Sequence, residues 1–347
     1  MRYNKVFINS IGYELPNLVV TTRELEERIS IVLKKLGIPV GYIEDVTGIK
    51  ERRWWPAEHS LVDGASIAGN KALETAAISG SDLDAVIYTG VCREYFEPAT
   101  ACHIAANLGV SERAIVYDIS NACLGVLNGI IDLANRIELG QIKCGLVVSC
   151  ESARQINEDV ISGLIKNTHI ENFISSVASL TGGSGAAAVL VSDGSIGEVA
   201  GHRLVGGVNR SSAQFHNLCR WGMRKIQDSL FEQFMVTDAN SVLKNGLNLG
   251  INTWHCMMQE LNWCKTTVKK IITHQIGKAH RSSFLQALGY EEDMDFPTFP
   301  YLGNIGTVSL PISTAIAMER AVFKSGDRVG LLGIGSGLNC MMLGVEW

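Results

Sequence analysis

The chain has 347 residues, 46% apolar and 19% charged, which is too hydrophobic and too sparsely charged for intrinsic disorder and long enough for two domains or one duplicated unit. Thirty basic residues against 35 acidic ones give a formal charge of −5, which argues against a broad nucleic-acid-binding surface. Nine cysteines run from Cys92 to Cys340 without a CxxC pair or Cys/His ligand spacing, so they read as free thiols of a reducing compartment, and no metal is expected. The opening MRYNKVFINSIGYELPN passes straight into a strand pattern without leader features. No apolar run reaches the roughly 18 residues that would span a bilayer. These features predict a soluble, cytoplasmic protein with no transmembrane segment.

In chain order, VFINSIGYELP predicts a strand that turns at Pro16 and Asn17, and Thr21 with Glu24 three residues later predicts a capped helix start. LVDGASIAGNKALETAAISG predicts a helix, DAVIYTG (84–90) a buried strand, PATACHIAANLG a helix and AIVYDIS (114–120) another strand. NACLGVLNGIIDLANRIELG then predicts a long apolar helix whose narrow polar stripe is Asn128, Asp132, Asn135 and Arg136, followed by the strand CGLVVSCESA. Residues 203–262 read as a helical insertion holding Trp221 and Trp254, aromatics that either fill a core or line an apolar pocket. KKIITHQ and the segment from GNIGTVSLP to GIGSG repeat the earlier strand–helix–strand grammar. The separation of Gly140 from Gly326 equals that of Cys123 from Ser309, and a constant offset of this kind is the trace of an internal duplication. The expected fold is therefore α/β with two halves, 1–195 and 196–347, and a boundary near 190–200.

Cys123 follows the strand AIVYDIS at the first turn of the apolar helix, where free N–H groups and the helix dipole favour a thiolate. The competing reading is an inert cysteine packed among Leu124, Val126 and Leu127. Cys92, Cys102, Cys144, Cys150, Cys219, Cys256, Cys264 and Cys340 read as structural. His274 closes the apolar strand of IITHQIG, and Asn304 lies in GNIG just ahead of the helix that mirrors the Cys123 helix. Each is either a satisfied structural polar group or a donor facing a cleft. A thiolate beside two neutral donors suits thioester chemistry. GIGSG (333–337) joins two strands, so it is no dinucleotide fingerprint. It is a plain turn, or one that presents backbone N–H groups to Cys123. Glu97, in CREYFEPAT, is either an acid favoured near a helix N-terminus or a functional carboxylate.

The motifs SNACLG, THQIG, GNIG and GIGSGLN, in the order Cys, His, Asn, resemble those of the thiolase superfamily, and within it the ketoacyl-acyl-carrier-protein synthase III-like enzymes, over essentially the whole chain. The resemblance implies a five-layered α-β-α-β-α fold built from two duplicated halves, usually a homodimer. It implies no tightly bound cofactor, and coenzyme A or acyl-carrier-protein thioesters as substrates. By position it makes Cys123 the nucleophile and His274 and Asn304 donors to a carbonyl or enolate, with the backbone N–H groups of Cys123 and Ser336 as oxyanion hole. REYFEPAT further resembles the segment that supplies a base in the enzymes that join two acyl-CoAs head to head. There the glutamate precedes the cysteine by the interval that separates Glu97 from Cys123. It reaches the partner's active site, so Glu97 would serve the neighbouring subunit. The implied reaction is a non-decarboxylative Claisen condensation of two acyl thioesters to a 2-alkyl-3-ketoacyl product. The alternatives are decarboxylating condensation with a malonyl or β-ketoacyl thioester, and a retired member that only holds acyl chains. The tryptophan and arginine that clamp adenine in bacterial synthase III enzymes are not evident in YIEDVTGIK, and GIGSG lacks the second cysteine of thiolases.

Overall fold

The computed structural model describes residues 1–197, 201–227 and 230–347. The chain opens with β1 (Phe7–Glu14), β2 (Leu18–Thr21), α1 (Thr22–Arg28), α2 (Ser30–Leu36), α3 (Tyr42–Thr47) and β3 (Glu51–Trp54). Thr21 caps α1 as expected, and its side chain and that of Glu24 satisfy each other's backbone N–H groups. There follow α4 (Leu61–Ala76), β4 (Ala85–Tyr88), α5 (Thr100–Asn107), β5 (Ile115–Asp118), α6 (Gly125–Glu138), β6 (Cys144–Glu151), α7 (Arg154–Lys166), α8 (Ile170–Leu180) and β7 (Gly185–Ser192). The remainder comprises β8 (His202–Ser211), β9 (Cys219–Gln227), β10 (Leu230–Thr237), α9 (Ala239–Leu261), β11 (Val268–Thr273), α10 (Lys278–Leu288), α11 (Phe299–Leu302), α12 (Ser309–Glu319), β12 (Arg328–Gly335) and β13 (Asn339–Glu346).

Among the described residues one nine-stranded sheet runs β11-β12-β13-β8-β1-β7-β6-β4-β5. Its seam is the antiparallel contact of β1 with β8, Phe7 opposite Arg203 and Ile8 opposite His202. Away from the seam both sides repeat one pattern. β1–β7–β6 and β8–β13–β12 are antiparallel pairings, and β6–β4 and β12–β11 are parallel. β5 extends the first side, paired parallel to β4. On the second side a single parallel bridge from Ile271 to Asp295 occupies the corresponding place. The strands that the sequence repeat sets opposite each other, β6 and β12, hold equivalent positions.

The alternation of side chains in these strands sorts the core into layers. Val147, Val189 and Ile87 on one side, and Val329, Leu331 and Leu343 on the other, enclose the apolar face of α6. The opposite faces, through Leu146, Val148 and Leu190, pack on α4 and α5. Met342, Leu332 and Ile271 pack against Trp254 and Met257 of α9 and Leu285 of α10. The order is helix, sheet, helix, sheet, helix, the five-layered arrangement expected. α6 keeps Asn128, Asp132, Asn135 and Arg136 at its least buried positions.

The expected helical insertion is corrected by the structure. Among its described residues only 239–261 is α-helical, with one 3₁₀ turn at Ala213–Phe215; 202–211 is sheet strand β8, and β9 and β10 form a separate antiparallel hairpin with Trp221 opposite Met235. The hairpin projects, so neither of its faces is deeply buried and its sequence lacks a clean alternation of apolar and polar residues. Trp254, in α9, is core. The expected boundary near 190–200 reaches residues 198–200, which lie outside the described residues, as do 228 and 229 of the insertion. No described helix is long and apolar enough to cross a membrane.

Candidate active site

Both halves of the chain meet at Cys123. β5 ends at Asp118, Ala122 takes a left-handed conformation (φ 44°), and Cys123 sits in a 3₁₀ turn, Ala122–Leu124, immediately before α6. A non-glycine residue held there costs about 1–3 kcal/mol, and such strain collects at functional turns. Gly125 lets α6 start hard against β4, since a Cβ there would fall 2.2 Å from the Thr89 carbonyl oxygen. The Val126 N–H donates to Thr307 Oγ1 from the other half (2.8 Å). Asn339 Nδ2 donates to Asn121 Oδ1 (3.1 Å), tying the turn that ends GIGSGLN to the cysteine loop. Gly335 backs directly onto the cysteine: a Cβ there would meet the Cys123 nitrogen at 3.4 Å. The next peptide carries the Ser336 N–H.

The expected thiolate is not the resting state. Cys123 is half-buried, and its thiol is pushed up to about 12, first by burial and then by charge on Cys219 and Glu151, against a smaller lowering from its own backbone N–H. Burial outweighs the helix terminus.

His274 directly follows β11, 7% exposed, its N–H donating to the Leu332 carbonyl of β12 (2.9 Å). Leu332 lies on the strand whose Gly333 and Gly335 pack against Leu124 and Cys123. The imidazole is pushed down to about 4 by burial and by neighbouring His280, and its Nδ1 is buried without a hydrogen-bond partner among the described residues. It is therefore neutral near pH 7. His274 and His280 line a cavity of about 60 Å³ whose walls include Leu243, Leu247, Phe284 and Ile334. Asn304 is half-buried. Its backbone is clamped by Thr181 and Gly183 (2.9 and 3.0 Å), and its Oδ1 accepts from the Gly306 N–H (3.1 Å), which leaves Nδ2 as the free donor.

Glu97 lies at the surface, whereas Cys123, His274 and Asn304 are buried or half-buried. It is exposed, next to Tyr95 at 63% and Phe96 at 100% exposure, on a loop that leaves β4. The loop's ends are fixed although its tip is free. The Cys92 carbonyl accepts from Tyr88 Oη (2.6 Å), Arg93 pairs with Asp118 (3.8 Å), and Asp118 also accepts from the Thr100 and Ala101 N–H groups that begin α5.

Three buried supports receive no role from the sequence reading. Glu151 ends β6 beneath the Glu97 loop. Gln275 donates to the Thr273 carbonyl and accepts from the Thr298 and Phe299 N–H groups, joining the His274 strand to the segment that leads to Asn304. Asp295 accepts from the Thr273 N–H (2.9 Å) and from Arg281 Nε (2.8 Å), which fixes the strand end beside His274. Gln275 lies inside THQIG, which is the signal that could have found it, whereas Glu151 and Asp295 lie in no motif.

Comparison with known proteins decides the family. The thiolase N-terminal domain model matches residues 56–176, and the C-terminal model of 3-oxoacyl-[acyl-carrier-protein] synthase III matches 258–347. Over the full length of both proteins, the chain is 50% identical to an acyl-CoA:acyl-CoA alkyltransferase of Shewanella oneidensis and 34% identical to one of Xanthomonas campestris. The chain belongs to the OleA family of the thiolase superfamily. Crystal structures of Xanthomonas campestris OleA superpose with TM-scores up to 0.93 at 33% identity, covering 100% of this chain and 98% of theirs. A β-ketoacyl-[acyl-carrier-protein] synthase III of Clostridium tetani is 26% identical, also over both full lengths. The Xanthomonas OleA structures include variants at a cysteine, a glutamate and a histidine, and one holds lauric acid and lauroyl-CoA. The varied glutamate and cysteine stand at the same separation along their chain as Glu97 and Cys123 along this one.

Proposed function

We propose that this OleA-family enzyme joins two acyl-CoAs head to head through an acyl-Cys123 intermediate, as a homodimer in which each Glu97 serves the other subunit. The Cys123 sulfur attacks the first acyl-CoA, the C–S bond to coenzyme A breaks, and coenzyme A leaves with the thiol proton. The N–H groups of Cys123 and Ser336 face the acyl oxygen. A second acyl-CoA has no carboxylate to lose, so its α-proton must pass to a base, the partner's Glu97. Neutral His274 and Asn304 Nδ2 donate to the enolate oxygen that forms. The α-carbon attacks the acyl group, a C–C bond replaces the C–S bond, and Cys123 recovers a proton. The product is a 2-alkyl-3-ketoacyl thioester. Apolar walls beside His274 suit the thioester arm.

The observation that carries this reading is the Glu97 loop, pinned at both ends with an exposed tip, at the glutamate-to-cysteine spacing of Xanthomonas OleA. A decarboxylating synthase generates its carbanion by loss of carbon dioxide and needs no such base. The test is intact-protein mass spectrometry and lipid analysis after mixing with myristoyl-CoA alone. An adduct on Cys123 together with a product carrying both chains is expected. An adduct without condensed product, rescued by malonyl thioester, would replace this reading with the decarboxylating one.

A further inference from the structure

Glu151 is 4% exposed at the end of β6, and the proposed chemistry leaves it unused. Its Oε1 accepts from the Val91 N–H (3.0 Å) and its Oε2 from the Cys92 N–H (3.2 Å), the two consecutive amides with which the Glu97 loop leaves the sheet. On its other side lies the turn after Asn304. Gly306 (φ 58°) is so close that a Cβ there would meet the Glu151 Cγ and Cδ at 3.3 Å. The Glu151 backbone carbonyl accepts from Trp55 Nε1 (3.0 Å), so the residue is held while it holds others. Burial pushes its carboxyl up, and the N–H donors on both of its oxygens oppose that rise. A buried carboxylate adds little net stability, because desolvation offsets most of what its contacts contribute. What it supplies is geometry, since each of its two oxygens takes one of two consecutive amides and so holds the loop root at two points.

We propose that Glu151 is a positioning residue of the condensation step: it fixes the root of the Glu97 loop against the Asn304 turn and so sets where the base reaches the partner's site. This rests on the reading of Cys123 as acyl acceptor and Glu97 as base. Acylation of Cys123 does not need that base, whereas condensation does. Loosening the root should therefore separate the two half-reactions, with condensation about 10- to 100-fold slower, as misplacement of a reacting group by about 1 Å produces.

The test compares wild type with Glu151→Gln, which keeps the shape but offers one acceptor oxygen instead of two. With myristoyl-CoA, the variant should acylate Cys123 no more slowly than wild type in a single-turnover assay, since the change removes a charge that pushes the thiol up, while condensed product falls and free fatty acid from the stranded acyl-enzyme rises. In a Glu97→Gln background, Glu151→Gln should slow condensation little further, because both changes disable the same base. Equal loss of both half-reactions, or a full further loss in the double variant, would reduce Glu151 to general scaffolding and overturn the proposal. Unchanged condensation would do the same. Should Glu151→Gln not fold, Glu151→Asp, whose carboxylate falls one methylene short of the amides, must show the same split. Acylation of the wild-type enzyme at a site other than Cys123, or unimpaired condensation by Glu97→Gln, would instead overturn the underlying reading and is seen in the same experiment.

Discussion

Cys123 shows how magnitude decides between two sound residue-level arguments. A helix N-terminus stabilises a nearby anion by about 0.3–1 kcal/mol, whereas full burial can move a titration by several pH units. The thiol consequently rests protonated, pushed up to about 12. The sequence shows both the helix start and the apolar neighbours Leu124, Val126 and Leu127, but not which of the two prevails. His274 follows the same physics with the opposite consequence, since burial keeps it neutral and fit to donate without carrying charge. An imidazole that titrates near 6.5 unfolded and about 4 folded binds more protons in the unfolded state between those values. Its contribution to stability is thus complete above about pH 6.5 and is lost as the pH falls toward 4, a difference of about 3 kcal/mol. Thermal melts of wild type should fall across that window and those of His274→Asn should fall less. Equal slopes would show that His274 is not the group being protonated. In turnover, Cys123→Ala should abolish product. His274→Ala should slow condensation by about 100-fold or more while acylation persists, read by comparing coenzyme A burst with product formation.

At the scale of elements, glycines set the approach of one segment to another, and Gly303 is the clearest case. It holds φ at 68°, and a Cβ there would lie 2.4 Å from the Thr181 carbonyl oxygen, the atom that accepts the Asn304 N–H. Gly303→Ala should destabilise the protein by about 1–3 kcal/mol and lower condensation by moving Asn304. Gly326 supplies the control, with φ at 87° and nothing within 4 Å of an added Cβ. Gly326→Ala should lower the melting temperature through backbone strain alone and leave turnover intact. Equal catalytic loss in both variants would remove the special role of Gly303. The same contrast explains what was legible in advance. Strands such as β6, buried along their whole length, announce themselves as apolar runs, and α6 shows its polar stripe. The hairpin of β9 and β10 packs too lightly for its pattern to record an inside and an outside. Glu151 and Asp295 work through backbone amides brought together only by the fold, which leaves no spacing in the sequence to find, and Gln275, although inside THQIG, shows its amide partners only in the fold.

The whole molecule is legible as a duplication because each half must build the same strand order on its side of the β1–β8 seam, which leaves a near-constant offset along the chain. Under the proposed mechanism the duplication does not make one chain a complete site. Cys123 sits where the halves meet, while Glu97 projects from the surface beside fully exposed Phe96. Mixed dimers can show whether the missing group comes from a second copy. Take Cys123→Ala, inactive in condensation, and Glu97→Gln, strongly slowed in it, and let their subunits exchange. If Glu97 acts across the interface, a heterodimer unites the intact cysteine of one subunit with the intact glutamate of the other and restores one of its two sites. Random exchange of equal amounts should then recover about a quarter of wild-type activity, half of the dimers being mixed and half of their sites complete. If Glu97 acts within its own subunit, every site in the mixture lacks one of the two groups and no activity returns. Exchange must be verified independently, by differently tagged subunits co-purifying, so that silence is read as geometry and not as failure to mix.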